Sequence, residues 1–208
     1  SGLLDLELGR ESELTHYDWI TDTTVHDGSA WAYMKNSKYK TTTDLVHYLI
    51  DNVSKNGYML LNIGPKPDGT IPEEDKNLLE GIGNWLDVNG EAIFETETWD
   101  QYGEGPTKMN EAGPFSDNRA KLIYTAKDFR FTTKDNFLYA TALGWPSKDF
   151  TIESIYKLFD NEIERVELLG STDKVEWKHT RDGLHITRPD NKPCEHAYSF
   201  KITRKEYL

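Results

Sequence analysis

Apolar residues recur along this chain in two different periods, and the change from one to the other divides it. Residues 3–9, LLDLELG, alternate: Leu4, Leu6 and Leu8 fall on one side, Asp5 and Glu7 on the other, which predicts a strand. Residues 10–28 are polar and read as a loop, with His16, Tyr17 and Trp19 spaced through it. SAWAYM, 29–34, predicts a second short strand. In TTTDLVHYLIDNVSKNG, Leu45, Val46, Leu49, Ile50 and Val53 return at helical spacing, with Thr43 or Asp44 as the cap and Asn56-Gly57 as the stop. YMLLNIG, 58–64, is a continuous apolar run, the mark of a strand buried on both faces. IPEEDKNLLEGIGNWLDVNG predicts a second helix. Pro72 and three acids suit its first turn, Leu78, Leu79, Ile82, Trp85 and Leu86 form its apolar stripe, and Gly90 follows its end.

Strand and helix therefore alternate over the first hundred residues, the grammar of parallel strands joined by crossover helices. Beyond them, residues 101–118 are rich in glycine and proline and read as a linker. Short alternating runs with turn signals follow: AKLIYTA, FLYATALG, FTIESIYKL, RVELLGS, GLHITRP and AYSFKIT. That spacing predicts an antiparallel β-sandwich. The expected division is 1–104, α/β, and 105–208, all-β. Three strands cannot close a (β/α)8 barrel, so about five units of such a barrel are expected outside this chain.

Composition narrows the function. A length of 208 residues suits one large domain or two ordinary ones, and 37% hydrophobic residues with six tryptophans supply a core. A net charge of −12 disfavours phosphate backbones and anionic membrane surfaces as partners. The apolar runs are too short to span a bilayer. A single cysteine, Cys194, excludes an internal disulfide and a cysteine-rich zinc site, and the six histidines show no HExxH or paired-ligand spacing. The acids of PEEDKNLLE suit a helix start rather than a calcium loop, and neither GEGPT nor KPDGT follows a phosphate-loop pattern. No metal or cofactor is expected. The sequon Asn52-Val53-Ser54 falls in a predicted helix. The opening SGLLDLELGR has no methionine, basic region or cleavage site and begins inside a predicted strand, so the native N-terminus and any targeting segment are expected upstream.

Three stretches carry a family resemblance. VSKNGYMLLNIGPKPDGTIP, followed by LLEGIGNWLDVNGEAIFET, closely resembles the last barrel unit of α-L-fucosidases, glycoside hydrolase family 29. DLELGRESELTHYDWITDTTVHDGSAWAYM resembles the region before it, with Ala32 where the family has glycine in a Ser-Trp-Gly-Tyr strand. The later pattern, FRFTTKDNFLYATALGWP through VELLGS to WKHTRDGLHIT, is similar to the family's terminal β-sandwich. The resemblance covers nearly the whole chain but only about the second half of a family member. It implies the C-terminal part of a (β/α)8-like barrel followed by a sandwich, and a retaining exo-α-L-fucosidase acting on fucosylated glycans. It further implies the N-terminal remainder of the same enzyme as partner, no nucleic acid or membrane partner, and a secreted, periplasmic or lysosomal location.

A retaining glycosidase needs two carboxylates about 5–5.5 Å apart, one to attack the anomeric carbon and one to protonate the leaving oxygen and then activate water. The family's nucleophilic aspartate has no matching segment here and is expected upstream of residue 1. The acid/base is assigned to Glu7, at a strand end before Gly9, with Asp5 and Glu11 as alternatives and a rim ion pair with Arg10 as the competing reading. Trp31 is the candidate ring against the methyl-bearing side of fucose, with core packing as its alternative, and His16 and Trp19 are loop candidates for substrate contact. Asn62 and Gly64 end the apolar strand on the active-site side of a barrel, and the loop PKPDGTIP is read as scaffolding. The alternative function is a non-catalytic carbohydrate- or protein-binding sandwich module, which an exposed run of Phe150, Tyr156, Trp177 and Tyr198 would favour.

Overall fold

The computed structural model describes residues 2–28, 30–118 and 121–205. Its first part is a three-stranded parallel sheet in the order β1-β2-β3, with β1 at Leu4–Asp5, β2 at Trp19–Thr24 and β3 at Gly57–Asn62. Helices α1, Thr42–Ser54, and α2, Glu73–Asn89, flank it. Thr41, one residue before the helix and two before the first expected cap, closes a capping box with Asp44: its hydroxyl accepts from the Asp44 amide, and its own amide donates to the Asp44 carboxylate. Leu45, Val46 and Ile50 of α1 meet Leu78, Ile82 and Trp85 of α2 in one apolar cluster, as the helical spacing requires, whereas Leu79 is exposed.

Two expectations for the parallel sheet fail for identifiable reasons. The second strand is β2, within the stretch read as a loop, and not 30–34; Ser29 lies outside the described residues. Its inward side is threonine rather than aliphatic. Thr21 shares a hydrogen bond with the Tyr48 hydroxyl at 2.9 Å, and Thr23 accepts from Lys40 Nζ at 2.9 Å. A buried strand face made of satisfied β-branched hydroxyls leaves no apolar alternation to read. Residues 30–34 instead cross the strand ends. Likewise β3 is not buried on both faces: Tyr58 and Leu60 are 55% and 58% exposed. Leu61 and Ile63, on the opposite side, pack against the helix cluster.

Beyond α2 comes a sandwich. Five antiparallel strands run in the order β4-β5-β6-β11-β8: β4 is Glu97–Glu104, β5 Phe129–Lys134, β6 Phe137–Ala142, β8 Ile163–Leu168 and β11 Tyr198–Arg204. Three more run β7-β10-β9, with β7 at Phe150–Ile152, β9 at Trp177–Thr180 and β10 at Gly183–Ile186. The inner faces share a core that includes Phe131, Ile152, Val166, Leu184 and Phe200. The stretch read as a linker from 101 begins as the end of β4, and 121–125 of the expected run AKLIYTA is not a strand. Of the four aromatics weighed for an exposed face, Tyr198 is buried and Phe150 packs between Phe129 and Phe200, while Trp177 is half-buried and Tyr156 alone is exposed. That face does not form, because alternation turns the strand aromatics inward.

Sheet and sandwich are locked together. Trp85 of α2 donates its indole N–H to the Ala197 carbonyl at 2.9 Å. Below it, Asp51 of α1 is fully buried among Arg130 of β5 at 2.6 Å, Lys55 at 2.9 Å and Arg10 at 3.5 Å, and Arg10 also pairs with Asp117 at 3.0 Å. The three cations hold the Asp51 carboxyl far below the usual carboxylate range, against the opposing effect of burial.

Candidate active site

In a sheet of parallel strands the connecting loops alternate between its two edges, so a residue's place in the loop decides which edge it reaches. The segment after Gly9 must return to the start of β2 at the N-terminal edge. Three sequence-predicted residues are carried there with it. Trp19 is not in a loop. It is the first residue of β2, fully buried, with its indole N–H on the Lys55 carbonyl at 3.1 Å. A Cβ on Gly57 would come within 2.4 Å of that ring, so the glycine admits it. Glu11 points the same way, its carboxylate accepting from the Tyr17 hydroxyl at 2.9 Å and its carbonyl from Lys55 Nζ at 3.1 Å. His16 is exposed between Tyr17 and Thr15, whose amide bonds the Lys55 carbonyl. These three do not join the remaining candidates.

The C-terminal edge gathers the others. The ladder outlasts β1: the Leu6 amide donates to Ile20 at 2.8 Å and the Leu8 amide to Asp22 at 2.9 Å. Leu6 and Leu8 are buried, which leaves Asp5 and Glu7 on the opposite, open side. Leu8 then adopts φ 48° and the chain turns away. Glu7 sits half-buried at this turn, its carbonyl accepting from the Phe115 amide at 2.7 Å. Arg10 is committed to Asp117 and Asp51, so the rim ion pair with Glu7, the competing reading, is not formed.

Asp22, which the loop reading of 10–28 passed over, completes the set. Strand alternation puts it on the face of Ile20, which pairs in register with Asp5. One of its carboxylate oxygens is buried without a hydrogen-bond partner among the described residues. Its pKa is raised, first by burial and then by the negative charges of Asp5 and Glu7. Three carboxylates thus share one strand-end face. Had WITDTT been recognised as a strand, its alternation would have revealed Asp22.

Trp31 stands at the same edge. The Asn62 side-chain amide, at the end of β3, donates to the Trp31 carbonyl at 2.8 Å, and Thr24 Oγ1 donates to the Ala30 carbonyl at 2.8 Å. Gly64 has no side chain because none fits: a Cβ there would lie 2.7 Å from the Tyr33 amide nitrogen. The Gly64 amide in turn donates to Asp75 in the first turn of α2 at 3.1 Å. The loop between them closes on itself through Lys66 and Thr70, with Asp68 accepting from the Thr70 amide and hydroxyl. These hydrogen bonds lie within the loop. His26, missed as well, is buried just past β2, its ring centroid 4.8 Å from that of Tyr39. Asn52 of the sequon is buried and inaccessible to a glycan. Among the described residues no group of three or more His, Cys, Asp and Glu is arranged to hold a metal ion, and no helix is long and apolar enough to cross a membrane.

Comparison with known proteins assigns this arrangement to a lineage. The profile of the Alpha-L-fucosidase family matches residues 4–91, and that of the Alpha-L-fucosidase C-terminal domain matches residues 121–203. The chain is 31% identical over 198 residues to the plasma alpha-L-fucosidase of Pongo abelii, covering 91% of this chain and 38% of that one. It is 29% identical over 203 residues to the tissue alpha-L-fucosidase of Rattus norvegicus, covering 94% and 39%. Among solved structures, the Thermotoga maritima alpha-fucosidase in complex with fucose superposes with a TM-score of 0.71 at 27% identity, over 93% of this chain and 41% of that one. The chain therefore spans about two-fifths of the length of these relatives. Because the two profiles fall in chain order on the parallel-sheet part and the sandwich, the chain belongs to the α-L-fucosidase family.

Proposed function

We propose that this chain is the C-terminal portion of a retaining exo-α-L-fucosidase that removes terminal α-L-fucose from glycoconjugates. Glu7 serves as general acid/base. It protonates the glycosidic oxygen as the fucosyl group passes to an aspartate upstream of this chain, then deprotonates the water that releases fucose. The observation that carries this reading is the crowding of Glu7, Asp5 and Asp22 at the C-terminal edge of the parallel strands, which raises the proton affinity of Asp22. Asp5 is the alternative donor. Trp31 lies against the methyl-bearing side of the sugar, its backbone fixed by Asn62.

In this reading residues 1–104 carry the (β/α)8 barrel portion and 105–208 the sandwich, with the last eight residues of the first part, β4, pairing across the division as the edge strand of the five-stranded sheet. The exposed Tyr58 and Leu60 support the barrel: they lie on the face of Ile20 and Asp22, the side of the parallel sheet that about five further units would cover. The test uses the protein with its upstream portion and aryl α-L-fucosides of graded leaving-group ability. Glu7→Gln should slow substrates with poor leaving groups far more than activated ones, and added azide should restore turnover of the activated ones. Equal loss on both series, with the same series intact in Asp5→Asn and Asp22→Asn, would remove Glu7 from acid/base duty.

A further inference from the structure

One cavity, of about 640 Å³, is lined by none of the carboxylate cluster. It opens at one end of the sandwich, between β4, β6 and β11 of one sheet and β9 of the other, beneath the turn that follows β7. Leu138, Ile163 and Ile202 line its apolar interior. Its rim is Tyr156, Leu158 and Phe159, which are 50%, 67% and 66% exposed.

Such a rim would ordinarily fold down onto the apolar interior. Here it is held out by charge-assisted hydrogen bonds. The Glu162 carboxylate accepts from the amides of Leu158 at 3.1 Å and Phe159 at 2.7 Å. The Glu104 carboxylate accepts from Glu153 at 3.0 Å and Ser154 at 2.6 Å. The aromatic faces are therefore presented in advance of any ligand, which lowers the ordering cost of binding.

The polar groups divide into two sets. Gln101, Asn136 and Glu162 are engaged within the protein. Asp100, Asp135, Trp99 and Tyr156 line the same cavity, and their side chains make no hydrogen bond within the described residues, while Arg204, which also lines it, is bonded to Thr133 and to the Asp135 carbonyl. The His179 side chain, 9% exposed, also lines it, and its Nε2 is buried without a partner. An apolar cavity of this size with a few unspent polar groups has the character of a ligand site. The carboxylates of Asp100 and Asp135 share the lining with Arg204 and Lys205, so neither sign of charge prevails. The carboxylates accept hydrogen bonds from hydroxyl groups, the indole donates one, and the Tyr156 and Phe159 rings match an apolar C–H face. We infer that this end of the sandwich binds a neutral saccharide ring, at a site separate from the carboxylate cluster.

The inference rests on the proposed glycosidase reading only in the choice of probe. N-acetyllactosamine carries no fucose and so reports on this site without being a substrate of the other. Titrated into the protein with its upstream portion, it should bind saturably. Tyr156→Ala should weaken binding about two- to tenfold, the scale of one aromatic contact, and Tyr156→Ala with Asp135→Asn should abolish it. KM for an aryl α-L-fucoside should stay unchanged in both variants. Absence of saturable binding, or equal binding by wild type and the double variant with native circular dichroism, would overturn the inference. So would unaltered sugar binding with a changed sedimentation coefficient in Phe159→Ala, which would mark the rim as a protein interface. Loss of aryl fucoside turnover by wild type with sugar binding intact would sink the glycosidase reading alone.

Discussion

Replacing Asp51 with asparagine keeps the side chain's shape and removes the negative charge on which three buried cations converge. Arg130, Lys55 and Arg10 lie 2.6, 2.9 and 3.5 Å from its carboxylate, and all three side chains are at least nine-tenths buried. Asp117, paired with Arg10, would then be the sole carboxylate in contact with them among the described residues. Removing one partner of a buried ion pair costs about 3–5 kcal/mol, chiefly because the other charge stays desolvated. Against a total stability of about 5–15 kcal/mol, that is about a fifth of the fold or more. At a urea slope of about 2–3 kcal/mol per molar, the unfolding midpoint should fall by about 1–2 M. Tryptophan fluorescence reads it directly, since Trp19 and Trp85 are buried.

The pH dependence gives this prediction a second handle. The folded pKa of Asp51 lies below its unfolded value, so the unfolded chain takes up the proton first on acidification. The carboxylate's contribution is complete above about pH 5 and drains as pH falls through the unfolded value toward the folded one. Wild type should lose stability over that acid limb, and Asp51→Asn should lose less. Lys55 shows the opposite sign, its pKa lowered by burial against the pull of Asp51. Without Asp51 that lowering grows, the unfolded state binds the extra proton, and the variant's deficit should shrink as pH rises from 7 toward 10. A midpoint shift below about 0.3 M, or parallel acid limbs in the two proteins, would show that the network does not join the parallel sheet to the sandwich as argued.

Other positions test the strand ends and the open face. Gly64→Ala places a methyl group 2.7 Å from the Tyr33 amide nitrogen, so it should displace the Trp31 segment and raise KM for an aryl fucoside with only a small change in melting temperature. Asp75→Asn should bring the Tyr39 phenol down from about 12, where burial and then the Asp75 carboxylate hold it, as followed by ultraviolet absorbance titration. Leu60→Lys should improve the solubility of the isolated 208 residues yet prevent soluble expression of the protein with its upstream portion. Equal tolerance in both would contradict a covered inner face.

Local sequence determined the elements whose burial is apolar and one-sided. Leu45, Val46 and Ile50, then Leu78, Ile82 and Trp85, recur at the helical period, and α1 and α2 lie where that period places them. The apolar run of β3 and most sandwich strands were equally legible, as were Asn62 and Gly64 at the site edge. Tertiary structure alone decided the rest. β2 was hidden because Thr21 and Thr23 are buried through hydrogen bonds to Tyr48 and Lys40, partners 27 and 17 residues away, and no periodicity records a distant hydroxyl. With β2 hidden, Asp22 could not be placed beside Glu7, nor His16 and Trp19 be sent to the opposite edge. Asp51 looks in sequence like any acid on a helix, and only the packing of β5 and of the Arg10 segment against α1 adds two more cations to the neighbouring Lys55. Hydrophobic periods report which side of an element avoids water, whereas hydrogen bonds and ion pairs between distant residues report what lies across the gap, and that is settled only when the chain has folded.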